Sequence, residues 1–186
     1  MKKGFFMTAL TLAFVLIFGS CALAEGVLQF GYSFNDRLTV DLNGTKITTD
    51  VKPGFDFSFE LTTDGNNGFV SGFGVDYQLA KTLKDGDLKF QYIPVYGVFG
   101  LEVSETETNN VYLLAKLGYN FFRVFDLADS ASARMGYYYA AGFGMKIGPY
   151  LRTQALYEVS NGSVSDSGVS TDCTNALYTF KCGYAF

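Results

Sequence analysis

The residues of this chain best able to do chemistry are carboxylates. Asp56 and Glu60 are four residues apart, so in an extended segment they share one face, and Asp76 lies on the polar face of the next such segment. Together they could form a carboxylate site for acid–base work. The favoured reading is that they pair with Lys and Arg on the same faces. The chain has no histidine, which excludes a His-based acid–base or triad mechanism. No Cys/His cluster supports a metal centre. Asp64-Gly65-Asn66-Asn67-Gly68 is rich in oxygen ligands but lacks full calcium-loop spacing, so it reads as a turn. Cys173 and Cys182 are nine residues apart, roughly 30 Å along one extended strand, too far to bridge unless the chain folds back. Both are expected to be free thiols without redox work. No cofactor and no enzyme activity are expected.

The N-terminal segment is of another kind. Met1-Lys2-Lys3 is a basic start, residues 4–18 are apolar apart from Thr8 and Thr11, and small residues lead to an Ala-x-Ala site. This is the pattern of a secretory signal peptide cleaved between Ala24 and Glu25. The apolar run is shorter than the ~20 residues that span a bilayer. Lipidation at Cys21 is disfavoured by Phe18 three residues before it, where such signals usually carry leucine. The expected domains are therefore 1–24, removed, and 25–186, one folded unit.

Lys2 and Lys3 would leave with the signal, so the 14 basic residues fall to 12 against 18 acidic ones, a net charge of −6. That excludes a nucleic-acid partner. No later segment is apolar for the length of a spanning helix.

Period-two alternation dominates the rest. Leu28, Phe30, Tyr32 and Phe34 oppose Gln29, Gly31, Ser33 and Asn35. Asn43-Gly44 signals a tight hairpin, which sets Leu42 opposite Thr45 and, down the same ladder, Tyr32 opposite Phe55, Phe30 opposite Phe57 and Leu28 opposite Phe59. Asp85-Gly86 is a second such turn; it predicts Leu79 opposite Tyr92, Val75 opposite Tyr96 and Phe73 opposite Val98. In Leu88–Val103 the even residues Leu88, Phe90, Tyr92, Tyr96 and Val98 are expected outward; a bulge near Pro94 that swaps the faces is the alternative. Val111–Phe125, Ala133–Ile147, Tyr150–Val159 and Ala176–Phe186 complete eight strands, with Ser160–Thr174 as the longest loop. Arg123 falls on an apolar face and is expected to snorkel at an edge.

One face of nearly every strand is Phe, Tyr, Leu and Val. The other is Gly, Ser and Gln with ten charges: Lys52, Asp56, Glu60, Asp76, Lys116, Arg134, Lys146, Arg152, Glu158 and Lys181. A dry core would not hold that set, but the lumen of a small barrel would if the charges pair. Strand length matches the ~9–11 residues of a tilted membrane strand. The expected fold is all-β, an eight-stranded antiparallel up-and-down transmembrane β-barrel in the cell outer membrane. A secreted soluble β-barrel binding a small ligand is the alternative.

Val111–Phe122 (VYLLAKLGYNFF), Tyr139–Ile147 (YAAGFGMKI), Leu151–Glu158 (LRTQALYE) and Tyr178–Phe186 (YTFKCGYAF) resemble the small outer-membrane β-barrel family that includes the barrel of OmpA and the OmpX and opacity-like proteins. The resemblance is closer over the last third than before it. It implies that Tyr178, Phe180, Tyr184 and Phe186 form a C-terminal signal for the barrel assembly machinery; Cys182 departs from the usual residue there. It implies outer-membrane lipid and lipopolysaccharide as neighbours. Enzymes of this architecture rely on histidine, absent here. Two further roles stay open. An eight-stranded lumen is filled by side chains, here Tyr112, Tyr138, Tyr150, Phe122 and the charges, so any pore is of low conductance. A monomeric structural or surface-interacting barrel would instead use its loops, with Asp41, Asn43, Gly44 and Lys46 at the tip of the first hairpin as a contact for a host or surface ligand.

Overall fold

The computed structural model describes residues 24–42, 44–65, 68–106, 109–125, 131–166 and 169–186. The expected signal peptide other than Ala24, the Cys21 question and Asn43 lie outside them.

Alternation produces strands β1 (Glu25–Leu42), β2 (Thr45–Asp50), β3 (Gly54–Asp64), β4 (Phe69–Gln78), β5 (Lys81–Thr82), β6 (Lys89–Glu105), β7 (Asn109–Val124), β8 (Ala131–Arg134), β9 (Gly136–Ile147), β10 (Leu151–Asp166) and β11 (Val169–Ala185). Eight of them form the walls. Each pairs antiparallel with its neighbour in the order β1-β3-β4-β6-β7-β9-β10-β11, and β11 pairs back onto β1, so the sheet closes and leaves no edge along the wall. The short strands β2, β5 and β8 extend the walls at one end, called here the hairpin end. The opposite, terminal end holds both ends of the ring, where Gly26 and Phe186 exchange backbone hydrogen bonds of 3.0 and 2.9 Å.

The Asn43-Gly44 turn sets the register as expected. Gly44 takes a positive φ of 88° and its N–H donates to Asp41 Oδ1 at 2.8 Å. Leu42 faces Thr45, and the same ladder continues down the wall to pair Tyr32 with Phe55, Phe30 with Phe57 and Leu28 with Phe59. The resulting aromatic contacts include Tyr32–Phe55 and Phe30–Phe57, with ring centroids 5.3 and 5.4 Å apart.

The second turn holds only at its tip. Lys81 faces Phe90 and Thr82 faces Lys89, as Asp85-Gly86 predicts. Below that the ladder slips by one: Val75 faces Val95 and Phe73 faces Gly97, not Tyr96 and Val98. Six steps from Val75 to Lys81 oppose five from Phe90 to Val95, so one residue is extra on the β4 side. Leu88 is exposed as expected, but from Phe90 to Val98 the expected faces of β6 are inverted. Phe90, Tyr92, Tyr96 and Val98 point inward and are buried, while Val95, Phe99 and Leu101 are exposed. Pro94 causes no break in the ladder to β7; it sits one residue beyond the last β4 pair, where its missing N–H costs nothing. Nor are the described residues of Ser160–Thr174, 160–166 and 169–174, a loop. They extend β10 and β11 as a paired ribbon beyond the wall.

The molecule is apolar outside. Thirty-four large apolar side chains among the described residues are exposed, from Leu28 to Phe186. Apart from Leu42 and Ile47 near the hairpin tip, most of them lie on the outer face of the wall strands, an apolar surface far larger than the few hundred Å² a soluble monomer shows, and hydrocarbon is the solvent that suits it. Arg123 stands on this face near the hairpin end with its guanidinium 5.4 Å from the Phe125 ring.

Closure on a narrow radius brings walls together where side chains are absent. A Cβ on Gly118 of β7 would sit 2.1 Å from the Val95 carbonyl oxygen and 2.6 Å from Tyr96 Cα. Gly118→Ala is expected to cost about 1–3 kcal/mol, measured as a lower urea midpoint for the barrel folded in detergent. An unchanged midpoint would mean that β6 and β7 do not approach this closely.

Candidate functional site

Inward-facing polar residues cluster at three levels. In the middle, Lys116 on β7 reaches across the lumen to Glu60 on β3, Nζ to Oε1 at 2.6 Å, and also donates to Gln154 Oε1 at 2.6 Å. Glu60 takes two further bonds, from Tyr96 Oη at 2.9 Å and Gln154 Nε2 at 3.0 Å. The Lys116 ammonium lies 5.0 Å from the Tyr96 ring centroid. Beside this group, Lys181 on β11 faces three carboxylates: Asp76 at 2.5 Å, Asp56 at 3.1 Å and Glu158 at 3.5 Å. All six charged residues are at most 3% exposed. Room for Asp56 exists because β1 carries Gly31 opposite it; a Cβ there would lie 2.3 Å from the Asp56 carboxylate.

At the terminal end, Lys146 pairs with Asp64 at 3.1 Å and approaches Glu25 at 3.9 Å. Arg152 Nε donates to Glu25 at 3.2 Å. A cavity of about 50 Å³ lies between this cluster and Glu60. At the hairpin end, Asp36 and Lys81 form a buried ion pair under an apolar cap of Leu38, Val51, Phe90, Tyr92, Phe122 and Cys173. Burial raises the Asp36 carboxyl above its usual range despite Lys81 beside it. Both cysteines are free, as expected, and burial pushes the Cys173 thiol up to about 11, which leaves it a weak nucleophile.

Of the ten charges expected inside, Asp56, Glu60, Asp76, Lys116, Glu158 and Lys181 meet in the middle, and Lys146 and Arg152 guard the terminal end. Lys52 and Arg134 do not join them; both are exposed. The cause is a change of parity at the hairpin end. Asn35, at φ 49°, is an extra residue in the β1–β11 ladder, and beyond it the even residues Asp36 and Leu38 point inward. Lys52 lies past the equivalent change on the neighbouring wall, where Val51 takes the inward position. Arg134 ends β8, beyond the β9 wall. Sequence reasoning missed Asp36 and Lys81 for the same reason, and Glu25 and Asp64 because they flank strand ends. Tyr112, Tyr138 and Phe122 fill the lumen as expected, but Tyr150 is exposed and stacks on Tyr184 at 5.4 Å. Tyr178, Phe180, Tyr184 and Phe186 all face outward, as does Cys182. Asp41, Gly44 and Lys46 stand at the tip of the β1–β2 hairpin, with Asp41 opposite Lys46.

No protein-family model matches the chain, and no curated protein sequence does. Among solved structures it is similar to Ail, the attachment invasion locus protein of Yersinia pestis, at 16% identity and a TM-score of 0.51, covering 88% of this chain and 99% of that one. It is similar to Neisserial surface protein A at 14% identity and a TM-score of 0.53, covering 87% and 97%. It is also similar to OprG from Pseudomonas aeruginosa at 16% identity and a TM-score of 0.50, covering 88% and 96%. At these identities the likeness is one of fold, and the fold is that of the small outer-membrane β-barrels.

The central ion pairs make a distinctive energetic demand. Lys116→Met should cost about 3–5 kcal/mol, because it strands Glu60 in the lumen, while Lys116→Met with Glu60→Gln should recover much of that loss. Urea unfolding of the four proteins of this double-mutant cycle measures it; additive losses would mean that the two groups do not depend on each other.

Proposed function

We propose that this protein is a monomeric, non-enzymatic outer-membrane barrel that holds a β-sheet rim above the bilayer for structural or surface contact. The observation that carries the reading is the contrast between its two halves. The lumen is filled by paired charges and tyrosines, while the strands run on past the apolar band at one end only. There β1 and β2 pair from Arg37–Asp50 to Leu42–Thr45, and β10 and β11 pair from Ser160–Asn175 to Asp166–Val169.

Catalysis has little to work with. The carboxylates Asp56, Glu60 and Asp76 are each committed to a lysine and sealed from solvent. The cavity that reaches Glu60 is far below the ~300 Å³ of an ordinary ligand pocket. A wide pore is disfavoured by the same filling, since Lys116 and Lys181 cross the lumen and the Tyr96 and Tyr138 rings lie tilted against each other, centroids 5.2 Å apart. A secreted soluble barrel is disfavoured by its exposed rings. With both termini on the periplasmic side, the rim faces outward, and the edge of β2 beyond Asp50, whose carbonyl accepts from the Lys84 N–H, pairs among the described strands with β1 and offers its backbone for strand addition by a partner. The aromatic C-terminal stripe fits a role in recognition by the assembly machinery.

Two measurements test this. Planar bilayer recordings should show small or no conductance; large, stable open states would overturn the filled lumen. Deleting residues 41–46 should leave the shift in gel mobility between unboiled and boiled samples intact and abolish cell-surface adhesion; unchanged adhesion would remove the hairpin tip as the contact.

A further inference from the structure

The outer face of the rim carries polar rows that run across several strands. Thr48, Thr39, Thr174 and Asn161 are successive cross-strand partners on β2, β1, β11 and β10. Side chains join them in pairs: the Thr39 and Thr48 hydroxyls are 3.0 Å apart, and Thr174 Oγ1 donates to Asn161 Oδ1 at 2.7 Å. One step further from the terminal end runs a second row, Lys46, Asp41, Asp172 and Ser163. Apart from Thr48, these rows form one wall of a groove of about 490 Å³, and Met135 and Tyr137 form another part of it.

The rows descend towards the apolar band as they cross to β9. On β1 the exposed rings stop at Phe34, below the Thr39 row, whereas on β9 the band reaches Tyr137, which lies 57% exposed beside that row. Tyr137 also lines a second, shallow depression of about 640 Å³ on the lipid-facing wall. That depression is apolar. Its floor is low because Ala115 on β7 faces Ala141 on β9, between the bulkier pairs Leu117–Tyr139 and Leu113–Phe143. A polar groove and an apolar trough thus meet at one tyrosine, at the border of the membrane band.

We infer that this pair of concavities binds one glycolipid of the surrounding leaflet, its sugar headgroup in the groove and an acyl chain in the trough. The inference rests on the outer-membrane reading above. Hydroxyl, amide and carboxylate groups in cross-strand rows supply the donors and acceptors that sugar hydroxyls need, and the Tyr137 ring offers an apolar face with a polar tip. The charges lining the groove are Asp41, Asp172 and Lys46, one negative in sum, so a phosphate-rich headgroup is disfavoured against a neutral saccharide. The volume fits a small ligand rather than a macromolecule.

The test uses the full barrel folded in phosphatidylcholine nanodiscs doped with digalactosyl diacylglycerol, with retained lipid counted by native mass spectrometry. The galactolipid should be enriched over phosphatidylcholine. Asn161→Ala in the groove and Ala141→Phe in the trough should each lower that enrichment about fivefold, and both variants should keep the heat-dependent gel shift that marks a folded barrel. Equal retention of the two lipids would overturn the inference, as would enrichment of phosphatidylglycerol instead. Full displacement by the free disaccharide would assign the groove to a soluble glycan and also overturn it. A chain that enters no bilayer would overturn the outer-membrane reading and the site with it; one that inserts without lipid preference would overturn the site alone.

Discussion

A charge inside this barrel is stable only if an opposite charge reaches it from another wall. Lys116 and Glu60 are 56 residues apart, and Lys181 and Asp76 are 105 apart, yet each pair meets inside the lumen at 2.6 and 2.5 Å. Neither pair joins strands that are neighbours in the sheet. The ladders fix the order of strands around the ring; these cross-lumen contacts fix how the walls sit opposite each other. A one-residue slip in β3 or β11 would turn Glu60 or Lys181 out into the apolar band and leave its partner buried alone. The ionic core is therefore better read as a device for specifying register than as a source of net stability.

The same constraint explains which parts of the fold were legible in the sequence. Where one face is apolar and the other is Gly, Ser and charge, period two is unambiguous, and β1, β3, β7 and β9 follow it. Asn43-Gly44 set a register that holds for the whole of β1 because the ladder from β1 to β2 and β3 has no extra residue. β6 failed because both of its parities are apolar: Tyr96 and Val98 fill the lumen next to Glu60, and Val95 and Phe99 meet lipid. Only the extra residue near Ala80 decides between them, and no Gly or Pro marks it.

The candidate site was legible in its middle and not at its hairpin end. Asp56, Glu60, Asp76, Lys116, Glu158 and Lys181 sit where alternation runs unbroken. Lys52 and Asp36 lie past the change of parity near Asn35, an ordinary residue with an uncommon φ, and Asp36 takes the interior position that a strict count would have denied it. The Ser, Thr, Asn and Asp residues of Ser160–Thr174 resemble a loop by composition. They form strands because β1 and β8 flank them and the wall below already fixes their direction.

Beyond the buried Asp36–Lys81 pair the interior is apolar and the exterior is polar, the reverse of the arrangement in the membrane band. Leu38, Val51, Phe122 and Cys173 pack inward, and Thr39, Asp41, Thr174 and Asn161 look out. One chain thus meets two solvents, and the parity changes mark where one gives way to the other. In the band, side chains aimed outward meet hydrocarbon and offer a partner only shape. At the rim they meet water and offer hydrogen bonds. Among the described residues the lumen is filled by paired charges and tyrosines, so the two regions meet along the outer wall. The level at which both chemistries are available together is the border itself, where Tyr137 stands.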